Sequence, residues 1–229
     1  MSTLTTARKS EDVLRYLQGR RSCPLNLMDA DAEIPTQDIE QILRLASRVP
    51  DHGRLYPWYF VVLQGKNRRK MGEILRTAYR HEDPDASEEK LDIEAARFLR
   101  APLVIIVVSR MRQGAKPLWE QILSSGAACF NLSLAANALG YGTNWLSEWY
   151  SYNPVFKEAL GLDARDHIAG AIHIGPLKDE QPEERPRPDL DELVTWWEPG
   201  AALKKGELYN KDTMGLPHAG FILPGDGAA

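Results

Sequence analysis

Apolar residues recur every three or four positions through the first fifty residues and then become contiguous, and this change of period marks out the elements. Val13, Leu14 and Leu17 form an apolar stripe in a polar segment that Ser10 can cap, with Glu11 and Asp12 in its first turn. A helix ending at Gly19 follows. Ile39, Ile42, Leu43 and Ala46 repeat at helical spacing from Thr36, and Pro50 limits that second helix. Pro50-Asp51-His52-Gly53-Arg54 reads as loop. Residues 58–63 are a dense β-branched and aromatic run between Pro57 and Gly65, which predicts a buried strand.

A third helix carries Met71, Ile74, Leu75 and Ala78. The charged stretch 81–90, with Pro84, predicts a mobile excursion suited to a lid, before a short helix bearing Leu91, Ala95 and Phe98. Residues 103–108 are apolar throughout, as expected of a central strand with helices on both faces. From 117 to 139 the pattern is helical and nearly apolar all round beyond Ile122, with Gly126, Ala127 and Ala128 permitting close approach. Gly140-Tyr141-Gly142 stops that helix and feeds a short strand. Asn153-Pro154 starts another helix that Gly161 ends, and 167–174 reads as a strand. Beyond Pro176 the chain turns to Pro, Glu and Arg, with a short helix over 189–197. The length favours one domain, 1–198, followed by a C-terminal extension, 199–229, lying across a surface or a partner subunit.

Charge and motifs narrow the chemistry mainly by exclusion. A net charge of -4 over 229 residues gives no global drive towards nucleic acid or an anionic membrane. The longest apolar run is too short for a bilayer and the N-terminus has no signal-peptide core, so a cytoplasmic location is expected. Cys23 and Cys129 offer neither a disulfide framework nor a zinc pattern. The histidines form no HExxH, and His167 and His173 have the spacing of one strand face, so no metal site is expected. No G-x-S-x-G or Walker A loop is present, and Trp145 stands where a dinucleotide fingerprint after Gly140 needs its third glycine. The pairs Glu88-Glu89 and Glu183-Glu184 read as solvated faces rather than glycosidase carboxylates.

What remains is a set of basic and hydrogen-bonding residues at the edges of apolar elements: Arg20, Arg21, Ser22, Arg48, His52, Arg54, Arg185 and Arg187. Guanidinium forks bind phosphate bidentately, and a cation beside a reduced flavin stabilises its anionic ring. On spacing alone the plainer reading is favoured, that Arg20-Arg21 complements a helix C-terminus and stays solvated. Trp58, Trp145, Trp149, Trp196 and Trp197 include rings able to stack on a ligand, although tryptophan is more often core.

Taken in order, several stretches resemble the nitroreductase family. They are Gly19-Arg20-Arg21-Ser22, Ser47-Arg48-Val49-Pro50-Asp51-His52 before Pro57-Trp58, Arg100-Ala101-Pro102, Trp119-Glu120-Gln121, Leu139-Gly140-Tyr141-Gly142-Thr143-Asn144-Trp145 and Ile174-Gly175. The Pro-Asp-His form is similar to the compact bacterial members. The resemblance implies an α+β, three-layer α/β/α fold with a mixed central sheet, in an interlocked homodimer holding FMN between subunits. It also implies NADH or NADPH as co-substrate and a ping-pong transfer of electrons to a nitroaromatic, quinone or similar small acceptor. By position Arg20, Arg21 and Ser22 would bind FMN from one chain, with Trp145, Leu146 and Ser147 lining the same site. Arg48 and His52 would reach it from the other chain, and Arg187 would meet the phosphate. Ala135, Ala136, Asn137, Ala138, Leu139 and Gly140 match a stretch assigned to the nicotinamide nucleotide, and equally suit a core. No residue need be a covalent nucleophile, because the flavin carries the chemistry. The chain departs from the family where Pro24 replaces a basic residue, and where Arg54 and Tyr56 replace an asparagine and a glutamine. Other readings are a same-fold reductive dehalogenase or enone reductase, and a flavin-binding redox sensor without turnover.

Overall fold

The computed structural model describes residues 8–114, 116–179 and 181–204, so most of the expected extension lies outside the described residues. The chain divides into two compact units, meeting at Pro182 and Glu183. The first contains α1 (Glu11–Gly19), α2 (Thr36–Ala46), β1 (Trp58–Gln64), α3 (Lys66–Glu82), α4 (Glu88–Ala95), β2 (Leu103–Ser109), α5 (Leu118–Ala138), β3 (Gly142–Leu146), α6 (Pro154–Ala159) and β4 (His167–Gly175). The second holds only the short α7 (Leu190–Leu193) among its described residues. The expected caps form: Ser10 accepts from the Val13 N–H at 3.4 Å and Asn153 from the Phe156 N–H at 2.9 Å. Gly161 ends α6 at a φ of 81°, a conformation that needs glycine.

The strands form a four-stranded sheet in the order β1-β2-β4-β3. Alternate residues of β2 serve opposite layers. Leu103, Ile105 and Val107 pack with Ile39, Ile42 and Ala46 of α2 and with Ala128, Leu132 and Ala136 of α5. Val104, Ile106 and Val108 pack with Leu75 and Ala78 of α3, Phe98 and Phe156. Every residue of β2 is buried, as expected of a strand covered on both faces.

Four details differ from the sequence reading. Every strand pairing among the described residues is antiparallel, so this sheet is not mixed; Gln64 lies opposite Leu103, and the helical connection returns the chain to the end of the sheet it left. The stretch 81–90 is no open lid, because Arg76 and Arg80 of α3 pair with Glu88 and Asp92 to close it as a helical hairpin. Those charges are spaced i, i+4 on each helix, which lines them up across the turn. α7 covers four residues rather than 189–197, since the β-branched pair Val194-Thr195 and then Pro199 oppose its continuation. His167 and His173 do not share a face. A bulge between Val107 and Val108 leaves Ala169 unpaired on β4, so His167 lies opposite Ser109 while His173, opposite Val104, enters the other layer.

His173 is fully buried, stacked on Phe98 with ring centroids 6.3 Å apart. Burial, helped by the Arg100 charge, depresses its pKa to about 4, against the weaker pull of the Arg97 and Ala171 carbonyls and Glu148. The unfolded chain binds this proton near pH 6.5 and the folded chain does not, so the stabilisation is complete above that pH and declines as pH falls towards 4. The difference corresponds to about 3 kcal/mol. Urea denaturation from pH 7 to pH 4 is expected to give a stability slope that His173→Gln flattens; an unchanged slope would assign the loss to other groups.

Candidate functional site

The turn after α1 is fastened to the outer edge of the sheet. The Arg20 N–H closes α1 on the Tyr16 carbonyl at 3.0 Å, and the Cys23 N–H donates to the Thr143 carbonyl at 2.8 Å. Asn144 Nδ2 donates to the Cys23 carbonyl, also at 2.8 Å. Arg20, Arg21 and Ser22 are thereby held beside β3. Gly142 gives this crossing its close approach, since a Cβ there would displace the end of the Leu177 side chain and press on that of Cys23. The same turn is tied to α5: the Tyr16 hydroxyl donates to the Leu134 carbonyl at 2.8 Å, and the Arg20 guanidinium lies 5.3 Å from the Phe130 ring centroid. Arg20 has no carboxylate within ion-pair distance among the described residues. Ser22 is exposed, while Arg20 and Arg21 are half-buried.

Trp145 stands on β3 with its indole folded across β4. Nε1 donates to the Ala169 carbonyl at 3.1 Å, and the ring occupies the space that a Cβ on Gly170 would take. A ring that is 39% exposed is therefore fixed rather than free to rotate. Leu146 ends the strand half-buried and Ser147 is exposed. The next residue, Glu148, accepts from Arg97 Nη1 at 2.5 Å and from both terminal nitrogens of Arg100. Arg97 also binds the fully buried Glu94, which accepts from Trp149 Nε1 at 2.6 Å and pairs with Lys90. Burial alone would raise the Glu94 pKa, but hydrogen bonds from Arg97, Lys90 and Trp149 outweigh it and hold the carboxyl at about 2. This network clamps the chain immediately after Ser147.

Arg48 and His52 sit in a second cluster against α5. Asn131 Nδ2 donates to the Leu45 carbonyl at 2.5 Å and the Arg48 carbonyl at 3.3 Å. Ser124 donates to the Pro50 carbonyl at 2.7 Å and accepts from Trp58 Nε1 at 3.1 Å. His52 Nδ1 lies 2.6 Å from Glu120 Oε2, so the stretches 47–52 and 119–121 meet in space. Arg20 and the Arg48 backbone contact neighbouring positions of α5, Phe130 and Asn131, whereas His52 meets it about three turns nearer its start.

Of the stretch 135–140, Ala135 and Ala136 are core and Leu139 packs against it. Asn137 donates to the Tyr141 carbonyl at 2.7 Å and to Thr143 Oγ1 at 3.1 Å, while Ala138 and Gly140 are exposed. Arg187 belongs to the second unit, where Nη2 pairs with Glu184 at 2.6 Å. The Glu94–Arg97–Glu148–Arg100 network went unread in the sequence. Its signal was Glu94, an acid within the apolar stripe of Leu91 and Phe98, with Arg97 three residues on.

Residues 17–176 match the family model described as "Nitroreductase family". The chain is 32% identical over 188 residues to YdjA of Escherichia coli (strain K12), provisionally named an NAD(P)H nitroreductase, covering 81% of this chain and 100% of that one. It is 33% identical over 162 residues to a similarly named Haemophilus influenzae protein, covering 70% and 87%. The crystal structure of a nitroreductase-like family protein from Bacillus cereus aligns with a TM-score of 0.71 at 26% identity, over 86% of this chain and 99% of that one. A Desulfovibrio desulfuricans structure, in complex with FMN, aligns at 0.60 and 25% identity over 84% and 100%. With a family model over most of the chain and relatives above 30% identity matched over most of their length, the chain belongs to the nitroreductase family.

Proposed function

We propose that this protein is an FMN-dependent oxidoreductase that takes electrons from NADH or NADPH and passes them to a nitroaromatic, quinone or similar small acceptor. The observation that carries the reading is the Arg20–Ser22 turn bonded to β3, the strand that bears the immobilised indole of Trp145. Two guanidinium groups and a hydroxyl near an aromatic wall suit a planar heterocycle with a phosphorylated polar chain. Bound FMN supplies reversible hydride chemistry that no side chain here provides.

The chain's own residues bind and orient. Arg20 and Arg21 would balance negative charge on the cofactor, Ser22 would hydrogen-bond its polar chain, and Trp145, Leu146 and Ser147 would lie beside it with the chain clamped at Glu148. Ala138 and Gly140 are the surface that 135–140 offers to the nicotinamide nucleotide. The exchange is ping-pong: oxidised nucleotide departs before the acceptor enters. For a nitro group one cycle balances as ArNO2 + NAD(P)H + H+ giving ArNO + NAD(P)+ + H2O.

The working unit in this reading is a homodimer. α1 buries none of its residues within its own chain, although Val13, Leu14 and Leu17 form its stripe. Together with Leu118, Trp119, Leu123 and Phe130 of α5, these side chains are 44–60% exposed, an apolar area suited to a second copy. Arg48 and His52 would then complete the flavin site of the neighbouring subunit.

The purified protein is expected to be yellow, to release FMN rather than FAD on denaturation, and to bleach rapidly with anaerobic NADPH. Flavin that NADPH and NADH leave oxidised would indicate a binding protein instead. Arg20→Ala and Arg21→Ala are each expected to weaken FMN about ten- to a hundredfold, or ~1.5–3 kcal/mol, in equilibrium titration. Unchanged affinity in both would return these arginines to a solvated helix end.

Because cofactor binding and association are linked in a shared site, FMN is expected to tighten the dimer, and dilution to monomer to release flavin. Sedimentation of apo and loaded protein over a range of concentrations measures this. A monomer retaining stoichiometric FMN would overturn the shared-site arrangement.

A further inference from the structure

Arg54 and Tyr56 are the two described residues other than glycine with positive φ, at 55° and 50°. An L-residue is disfavoured in this region because its Cβ crowds the backbone, so some other interaction must hold the conformation. Asp51 does so. Its two carboxylate oxygens accept from the Leu55 and Tyr56 N–H groups at 3.1 and 2.8 Å, and its carbonyl accepts from the Arg54 N–H at 3.2 Å. From the other side Arg112 reaches the Tyr56 carbonyl, and Gln121 of α5 fixes the Arg112 backbone at both its N–H and its carbonyl.

This rigid loop displays a cation and a ring. Tyr56 is 57% exposed and meets Trp58 edge-on, with ring centroids 6.3 Å apart. The Arg54 guanidinium is exposed and has no carboxylate partner among the described residues. The nearby acids are already engaged, Asp51 on backbone N–H groups and Glu120 on His52. Lys116, whose stem packs over Gly53, and Arg112 add further positive charge. In a chain of net charge -4 this is a local concentration of cations around an exposed aromatic ring.

We propose that Arg54 and Tyr56 select the electron acceptor, favouring an aromatic one that bears an acid group: Tyr56 packs on the ring and Arg54 binds the carboxylate or sulfonate. The proposal rests on the flavin-reductase reading above, in which this loop borders the cofactor site. Glycine would relax the backbone at either position, but it would remove the two groups that recognise the ligand. A guanidinium takes a carboxylate bidentately, and an aromatic ring beside it selects a flat body. The strained loop thus trades some stability for fixed placement of both groups.

The test compares 4-nitrobenzoate with neutral 4-nitrobenzyl alcohol as acceptors for the FMN-loaded enzyme, and measures benzoate binding by calorimetry. The wild type is expected to favour the acid in kcat/KM, with a preference that shrinks as salt rises. Arg54→Gln should lower that preference about tenfold, chiefly through KM, and weaken benzoate about tenfold, with partial recovery in Arg54→Lys. Arg54→Gly should lose the preference while raising the melting temperature by about 1–4 °C. Equal preference and equal benzoate affinity in wild type and Arg54→Gln would overturn the proposal. Turnover of the neutral acceptor without preference for the acid would overturn it while leaving the flavin-reductase reading intact. Bound flavin that neither NADH nor NADPH bleaches overturns that reading instead, and the benzoate measurement then decides the role of the loop by itself.

Discussion

Polar side chains are scarce on α5, and nearly all of them are bonded to some other segment. Glu120 meets His52, Gln121 holds the backbone at Arg112, Ser124 and Ser125 take the carbonyls of Pro50 and Pro57, Asn131 takes those of Leu45 and Arg48, and Asn137 binds Tyr141 and Thr143. Loop carbonyls buried against an apolar helix would otherwise go unsatisfied, at about 1–3 kcal/mol each. A single helix therefore both fills the core layer against β2 and fixes the Arg48–His52 loop and the entry to β3. Displacement of α5 would move the Arg48–His52 loop and the start of β3 together.

The opposite layer supplies a different kind of anchor. Glu94 and Glu148 are bound between Arg97, Arg100, Lys90 and Trp149, so charge is buried only with several donors present. Removing one partner from such an arrangement leaves an uncompensated charge, which costs far more than the network contributes over a well-packed apolar substitute. Its value lies in geometry. It fixes the chain at the residue after Ser147, where a helix cap or an apolar contact would leave the backbone freer to shift.

Much of the fold could be read from periodicity because its elements obey local rules. β2 was legible from six consecutive apolar residues, and α6 from Asn153-Pro154 and Gly161, since both are decided within their own segments. The bulge at Ala169 was not legible, for nothing in His-Ile-Ala-Gly-Ala-Ile-His-Ile distinguishes a regular strand from one with an unpaired residue; the partner strand decides that. The α3–α4 hairpin was misread for the same reason, as its complementary charges acquire meaning only once the helices lie side by side. For the site, the arginine turn and the Pro-Asp-His loop were legible as motifs. Their attachment points Asn131, Asn144 and Glu148 were not, because an amide or carboxylate in mid-sequence gives no hint of which distant carbonyl or guanidinium it will meet.

The unpaired residue in β4 also bears on how such a chain can diverge. Upstream of Ala169 the strand presents Ile168 to the layer of α3, and downstream it presents Ala171 and His173 to that same layer, because the extra residue offsets the two halves. Deleting Ala169 would leave a regular ladder with both faces kept, whereas deleting a paired residue on either side of it would turn half the strand inside out. Loops elsewhere can lengthen or shorten gradually under selection. In β4 the extra residue is the one position that can be lost without exchanging faces, so any tolerated change in the length of this strand is confined to Ala169 while the paired positions stay in register.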